Sequence, residues 1–296
     1  MIPRRSTARV TVQKVRDGQT RPRQDVLAVE EPLEIRLAYE EAGRRVEQST
    51  SVTMRTPGDD FELAAGFLFS EDIVQNRDQI QQISYCLDSS IEEQQYNIVR
   101  VRLRPGVHFD PDRLLRHFYT TSSCGVCGKA SLEALQLRSC PVLPEDRPVI
   151  SEEMAHGLPE KLRRAQSVFE KTGGLHAAAL FDALGNFISL REDVGRHNAV
   201  DKLVGQQLLA GRLPLYDDLM VVSGRASFEI VQKALVAGIP MLVAVGAPSS
   251  LSVELAREFG MTLLGFVRDG SFNIYAGAQR VKFTISAKST KFVKPA

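Results

Sequence analysis

Two cysteines three positions apart, Cys124 and Cys127, carry the chemistry this chain offers most openly. They sit in Tyr119-Thr120-Thr121-Ser122-Ser123-Cys124-Gly125-Val126-Cys127-Gly128-Lys129. Gly125 and Gly128 strip bulk from beside each sulfur, and a Ser/Thr run precedes the first. Such a stretch is too polar and flexible for a core strand, so it reads as a loop. The Lys129 cation favours the thiolate, which is the reactive form. The segment reads as a place where sulfur chemistry is done.

Other readings of the pair compete with this one. Structural zinc wants four ligands, commonly in two half-sites. Cys86, Cys140 and five histidines remain, and they form neither a second C-x-x-C nor an H-x3–5-H pair. A thioredoxin-like dithiol would precede a helix, and Ala130 to Leu137 does carry a helical pattern. An incidental pair in a loop is the blandest reading.

A second set of candidates lies further along. Ser223-Gly224-Arg225-Ala226-Ser227, Gly246-Ala247-Pro248-Ser249-Ser250 and Val267-Arg268-Asp269-Gly270-Ser271 each follow an apolar run. Ligands of open α/β sheets bind beyond the carboxyl ends of the strands. Serines there can cap the following helix, whose first amides also attract anions. Arg225 and Arg268 could grip phosphate with two parallel hydrogen bonds. Turn and capping chemistry explains any one loop, whereas three together point to an anionic, nucleotide-bearing ligand. No G-x-G-x-x-G is present, which argues against a Rossmann dinucleotide site. Arg191-Glu192-Asp193-Val194-Gly195-Arg196-His197-Asn198 packs five ionisable side chains into eight residues before a helix. Charges next to a buried strand must be paired, so this stretch reads as a site wall, with Arg196 and His197 as ligand contacts. His176 is as readily structural as functional.

The elements that must position these residues follow from periodicity. Met1 to Gln24 reads as a loose basic arm with one strand at Ala8 to Val15. Leu33, Ile35 and Leu37 alternate with polar residues, Val52 and Met54 continue in that style, and Val99, Val101 and Leu103 alternate with arginines. Asp59 or Asp60 caps a helix carrying Phe61, Leu63, Ala64, Phe67 and Leu68. Asp110-Pro111-Asp112 opens a short helix, Arg113 to Phe118, so residues 25–120 read as a small α+β domain. After Pro141, Pro144 and Pro148, Ser151 to Thr172 reads as one helix interrupted near Pro159. Ala177 to Phe181 and Phe187 to Leu190 read as hairpin strands, and Asn198 to Leu209 as a helix. Leu219 to Val222, Ile230 to Ala237, Met241 to Val245, Leu251 to Phe259 and Thr262 to Phe266 then alternate strand and helix. That pattern predicts a parallel sheet layered with helices over residues 121–280, followed by a basic tail, 281–296.

Composition bounds the rest. The 296 residues are 43% hydrophobic and 25% charged, a soluble balance, and the net charge of +1 gives no footprint for nucleic acid. No apolar run approaches the ~20 residues of a membrane span. The basic N-terminus lacks the apolar stretch of a secretory signal. Four cysteines in so long a chain fit a reducing cytoplasm.

Cys124-Gly125-Val126-Cys127-Gly128-Lys129, Thr172-Gly173-Gly174-Leu175-His176, Arg191 to Ala199, Ser223 to Ser227 and Ala247-Pro248-Ser249-Ser250 together resemble the FdhD family of formate dehydrogenase accessory sulfur carriers. The resemblance runs in order from about Glu31 to Tyr275. It implies a cytoplasmic homodimer that takes persulfide sulfur from a cysteine desulfurase. The sulfur passes to the molybdenum bis-(molybdopterin guanine dinucleotide) cofactor of formate dehydrogenase, a bound cargo and not a resident group. Cys124 resembles the persulfide-bearing cysteine, and Phe266-Val267-Arg268-Asp269-Gly270-Ser271 matches the family's cofactor-binding segment. The family's larger domain resembles the cytidine deaminase fold. Asp72 stands where the family usually has glycine, at a helix end. The basic tail lies outside the resemblance.

The same fold suggests an alternative, a zinc- or dithiol-dependent protein acting on or binding a nucleotide. Nucleobase deaminases need H-x-E before P-C-x-x-C. Here Ser123 precedes Cys124, and His176-Ala177-Ala178 follows the cysteines and lacks the glutamate. Deamination is therefore disfavoured.

Overall fold

Asp17 and Gly18 both take left-handed backbone angles, φ 52 and 75. Two such residues in a row make the tight turn whose twist matches paired strands. In the computed structural model they join β1 (Thr7–Arg16) to β2 (Gln19–Ala28), an antiparallel hairpin. The expected loose arm with a single strand is thus a paired hairpin reaching Ala28. The structure describes residues 5–41, 43–87, 96–107 and 140–283. The Cys124–Cys127 loop, the helices expected at Arg113–Phe118 and Ala130–Leu137, and the tail beyond Phe283 lie outside them.

A four-stranded sheet follows, in the order β4 (Arg44–Arg55), β3 (Glu31–Glu41), β6 (Ile98–Leu103), β5 (Ile80–Tyr85). Leu33, Ile35, Leu37, Val99 and Val101 all turn inward, as their alternation predicts. Val52 and Met54 do not. A bulge between Ile35 and Arg36 resets the register, and β4 turns Val52 and Met54 outward, 61% and 47% exposed. Helix α1 (Asp60–Ser70) packs on the inner face. Neither Asp59 nor Asp60 caps it by side chain. Asp60 is buried instead, bonded to Arg55 Nε (3.0 Å) and to the Tyr85 hydroxyl (3.1 Å). Asp72, just past the end of α1, has φ 58, a conformation glycine adopts without steric cost.

The second half is a six-stranded sheet. Its order is β13 (Ser271–Ala276), β12 (Thr262–Arg268), β11 (Met241–Ala244), β10 (Asp218–Val222), β8 (His176–Asp182), β9 (Phe187–Asp193). β10, β11 and β12 are parallel, as the strand–helix alternation predicts, and β8 and β9 form the expected hairpin. On one face lie α4 (Arg196–Leu209), α5 (Phe228–Val236) and α6 (Ser250–Glu258), packed on Leu180, Met220, Leu242 and Leu263. On the other, α2 (Glu152–Ala165) sets Ala155, Leu158 and Leu162 against Phe181, Val221 and Val243. Successive strand residues point to opposite faces, so one apolar run supplies both layers. A two-stranded pairing of β7 (Ile150–Ser151) with β14 (Val281–Lys282) closes the chain's described end.

The helix expected from Ser151 to Thr172 runs through Pro159 and breaks at Gln166 instead. There α3 (Ser167–Thr172) begins, because the Glu192 carboxylate accepts the amides of Val168 (3.0 Å) and Phe169 (2.8 Å). A carboxylate on the first amides starts a helix and offsets its dipole.

The described residues of the two halves share one core. α1 crosses α4 so closely that a Cβ on Gly66 would lie 1.8 Å from the Asp201 carbonyl oxygen. One on Gly205 would lie 1.9 Å from that of Glu62. Beside this crossing, Asp201 accepts Lys233 Nζ (2.7 Å) and the Ser70 hydroxyl (3.0 Å).

Candidate functional site

The parallel strands β10, β11 and β12 end at one edge of the large sheet. β8 runs the other way, so its first residue, His176, reaches the same edge, paired across to Asp193 at the end of β9. The edge therefore gathers the three strand-end loops, the start of β8 and the turn into α4.

Backbone hydrogen bonds hold the three loops side by side. Gly246 N donates to Gly224 O (3.0 Å), Ala226 N to Ala247 O (3.1 Å) and Phe266 N to Gly246 O (3.1 Å). A Cβ on Gly246 would lie 2.9 Å from Gly224 O, so this close approach requires glycine. The serines divide the work. Ser249 caps α6, its Oγ accepting Ser252 N (3.3 Å). Ser223 Oγ accepts Ala177 N (2.9 Å) and ties β8 to β10. Ser227, at the start of α5, makes no cap and lies 3.2 Å from His197 Nε2. Ala226 and Val267 are buried, while Arg225, Arg268, Asp269, Gly270 and Ser271 are exposed. Phe266, 40% exposed, holds φ 53, a strained angle for a bulky residue.

The Arg191 to Asn198 stretch was expected as a site wall, and most of it is stitching between the two halves. Arg191 Nη2 donates to Glu62 on α1 (2.8 Å), and Glu192 starts α3. Asp193, fully buried, meets Lys202 Nζ at 2.7 Å and accepts Thr56 N (3.1 Å), Gly195 N (2.8 Å) and Asn198 Nδ2 (3.0 Å). Buried charges persist where paired and fully hydrogen-bonded, which is the case here. Only Arg196 and His197 turn to the edge. Arg196 Nε is buried with no hydrogen-bond partner among the described residues. His197 Nε2 lies 3.7 Å from the Glu229 carboxylate, and hydrogen bonding to His197 holds Glu229 down at about 2.

His176 joins them. A Cβ on Gly224 would lie 3.4 Å from its Nδ1 and 3.9 Å from Arg196 Cδ. Burial first, then the Arg196 and His197 charges, push the His176 pKa below its usual value, with Asp193 opposing. Beside it runs a groove of about 500 Å³ lined by Arg163, Gln166, Phe169, Gly174, His176 and Ser223. Arg163 lies 4.5 Å over the Phe169 ring. Arg163, Gln166, Phe169 and Glu229 carry no motif in the sequence, because long-range packing alone brings them beside the motif residues Gly174, His176 and Ser223. α4 and α5 both begin at this edge without a cap from the preceding side chain. On α5 the Glu229 carboxylate already accepts its own amide, while the first turn of α4 carries no acidic residue and attracts negative charge. Arg225 and Arg268 have no ion-pair partner among the described residues, and the spacing of β10 and β12 sets their loops roughly 10 Å apart.

Cys124 and Cys127 lie outside the described residues. Cys86 is half-buried, and burial pushes its thiol above the ordinary value, away from the reactive thiolate. Among the described residues no cluster of His, Cys, Asp and Glu could hold a metal ion, and no helix is long and apolar enough to cross a membrane.

The mixed six-stranded sheet with helices on both faces defines a layered α/β protein class, in which ligands bind beyond the carboxyl ends of the strands. Within that class, the model of the FdhD/NarQ family matches residues 28–282, and the chain belongs to this family. It is 51% identical over 285 residues to the sulfur carrier protein FdhD of Streptomyces avermitilis, covering 96% of this chain and 98% of that one. The FdhD of Sulfolobus acidocaldarius is 42% identical, over 92% of this chain and 98% of that one. The fold matches the crystal structure of a putative formate dehydrogenase accessory protein from Desulfotalea psychrophila. The TM-score is 0.71 at 22% identity, covering 94% of this chain and all of that one.

Proposed function

We propose that this chain is a cytoplasmic sulfur carrier that serves formate dehydrogenase, with Cys124 as the persulfide site. The Cys124 thiolate attacks the outer sulfur of a cysteine desulfurase persulfide. One S–S bond forms as another breaks, and the desulfurase thiol leaves with the electron pair, so the step needs no outside oxidant. The outer sulfur then passes to the molybdenum of the bis-(molybdopterin guanine dinucleotide) cargo, and Cys124 returns as a thiolate. Turning that sulfur into sulfide takes two electrons. They come from the reduced metal, whose two-electron oxidation accompanies departure of the Cys124 thiolate. As the resemblance implies, the working form is a homodimer.

The observation that carries the cargo half is the cationic strand-end edge. Arg196, Arg225 and Arg268 are without ion-pair partners among the described residues, and the N-terminus of α4 lies beside them without a side-chain cap. Guanine dinucleotide arms bring diphosphates, which suit that set. His176, kept neutral by burial and its cationic neighbours, can accept a hydrogen bond there without adding charge. The relatives' printed role supports the carrier half.

The test is intact mass after incubation with a cysteine desulfurase and cysteine. Wild type gains one sulfur on Cys124, and Cys124→Ala gains none, activates no formate dehydrogenase, yet folds and binds cargo. Cys127→Ala still loads and keeps partial activation, because the metal supplies the electrons. Full activation by Cys124→Ala would end the carrier reading. Equal and complete loss in both variants would move the chemistry to a dithiol or zinc mechanism.

A further inference from the structure

The hairpin β1–β2 takes no part in the site or in either large sheet. Its two strands pair only with each other. An isolated two-stranded hairpin is marginal in water. This one also exposes Val15 (67%) and Leu27 (45%).

Its charge is uneven. Residues 7–28 hold Arg9, Lys14, Arg16, Arg21 and Arg23 against Asp17 and Asp25, while the whole chain is balanced to +1. The register sets Lys14 opposite Arg21 and Arg23 opposite Val12, and alternation puts Lys14, Arg16, Arg21 and Arg23 on one face. Like charges directly across a strand pair destabilise it. The internal relief is slight. Asp17 lies 3.6 Å from Arg16 Nε, and Arg21 reaches Gln19 Oε1 at 3.2 Å. The cations line a recess of about 520 Å³ open to solvent. Val10, Val12 and Leu27 share the face with a single carboxylate, Asp25, and the basic cluster lies at its turn end.

The place of the hairpin matters as much. Its last residue, Ala28, packs at Gly174, where a Cβ would meet the Ala28 Cβ at 3.9 Å. Gly174 is two residues from His176, so the hairpin rises from the rim of the cargo edge. The cations lie at the turn end, roughly 20 Å along the strands from Ala28, so a protein held there is tethered to that rim at an arm's length.

We propose that the hairpin is a docking arm for the protein that receives the cargo, gripping an acidic surface on it through Lys14, Arg16, Arg21 and Arg23. This rests on the carrier reading above. Four cations on one short strand pair, flanked by apolar residues, fit an acidic protein patch with an apolar neighbour. Nucleic acid calls for a broad basic footprint, which the near-neutral chain does not offer.

The experiment uses the full chain, wild type and K14E/R16E/R21E/R23E, with the neutral K14Q/R16Q/R21Q/R23Q as a second variant. The probe is immobilised cofactor-free formate dehydrogenase. Charge reversal weakens binding roughly tenfold or more at low salt, neutralisation weakens it less, and the difference closes near ~1 M salt, where screening is nearly complete. Guanosine diphosphate binding and sulfur loading of Cys124 stay unchanged, which shows that the variants are folded. Unchanged affinity for the dehydrogenase, or no binding by wild type, overturns the docking arm. So does loss of self-association in sedimentation, which gives the face to a second copy. Duplex DNA bound more tightly than the dehydrogenase, and lost on reversal, overturns it as well. A wild type that never loads sulfur refutes the carrier reading, a result read separately from the binding arm.

Discussion

Replacing Lys202 by Met leaves a buried carboxylate without its cation while keeping much of the side chain's volume. Lys202 and Asp193 are 1% and 0% exposed, with Nζ 2.7 Å from Oδ2. Removing one partner of a buried pair costs about 3–5 kcal/mol, because the other charge stays desolvated. Asp193 keeps three donors, Thr56 N, Gly195 N and Asn198 Nδ2, which moves the cost toward the lower end. Thr56 O loses its bond from Nζ (2.8 Å), which moves it back up by about 1 kcal/mol or more. The expected loss is therefore about 4 kcal/mol, a large share of the ~5–15 kcal/mol that holds a typical domain. Urea unfolding followed by circular dichroism measures it, with the slope unchanged between variants. Adding Asp193→Asn removes the stranded charge, so the double variant should recover about 2 kcal/mol over Lys202→Met alone. A single variant within about 1 kcal/mol of wild type, or a double variant less stable than the single, would refute the reasoning.

Three further outcomes are expected. Gly66→Ala puts a methyl 1.8 Å from the Asp201 carbonyl oxygen, where ordinary contact begins at 3.4 Å, so α1 and α4 must part. The loss should reach about 3 kcal/mol or more in urea unfolding, and under about 1 kcal/mol would show that the crossing yields easily. Arg268→Ala should weaken guanosine diphosphate roughly tenfold to a hundredfold by calorimetry and guanosine much less, since a charged hydrogen bond is worth about 1.5–3 kcal/mol. Equal losses for both ligands would remove the arginine from phosphate. Stability should also fall with acid in two steps. His176 has a pKa below its ordinary 6.5, so the unfolded chain takes up its proton first and stability declines as pH drops below that value. Glu229, held at about 2 against an ordinary 4.5, contributes above 4.5 and is lost as pH falls toward 2. More than half of the Glu229 side chain is exposed, so its share is at most about 1 kcal/mol. A His176→Gln variant should flatten the first step, and an unchanged profile would place the titration elsewhere.

Local patterns were legible in the sequence because they need only neighbours. The alternation at Leu33 to Leu37 and Val99 to Leu103 gave strands, and the Leu219 to Phe266 series gave a layered parallel sheet with its loops at one edge. The hairpin signal, Asp17-Gly18 between two strands, was also there in the turn chemistry. What neighbours cannot specify, only the tertiary structure decided. The bulge at Ile35 turned Val52 and Met54 outward, because one extra residue reverses every later side chain. Glu192 moved the helix break from Pro159 to Gln166 from 24 residues away in sequence. The charged run read as a site wall divided into stitching and site, since Lys202, Thr56 and Glu62 reach it from other elements. Charge type can be read from a sequence, but the partner that neutralises a charge is fixed by packing. That is why Arg196 and His197 stand at the edge while Arg191 and Asp193 hold the halves together.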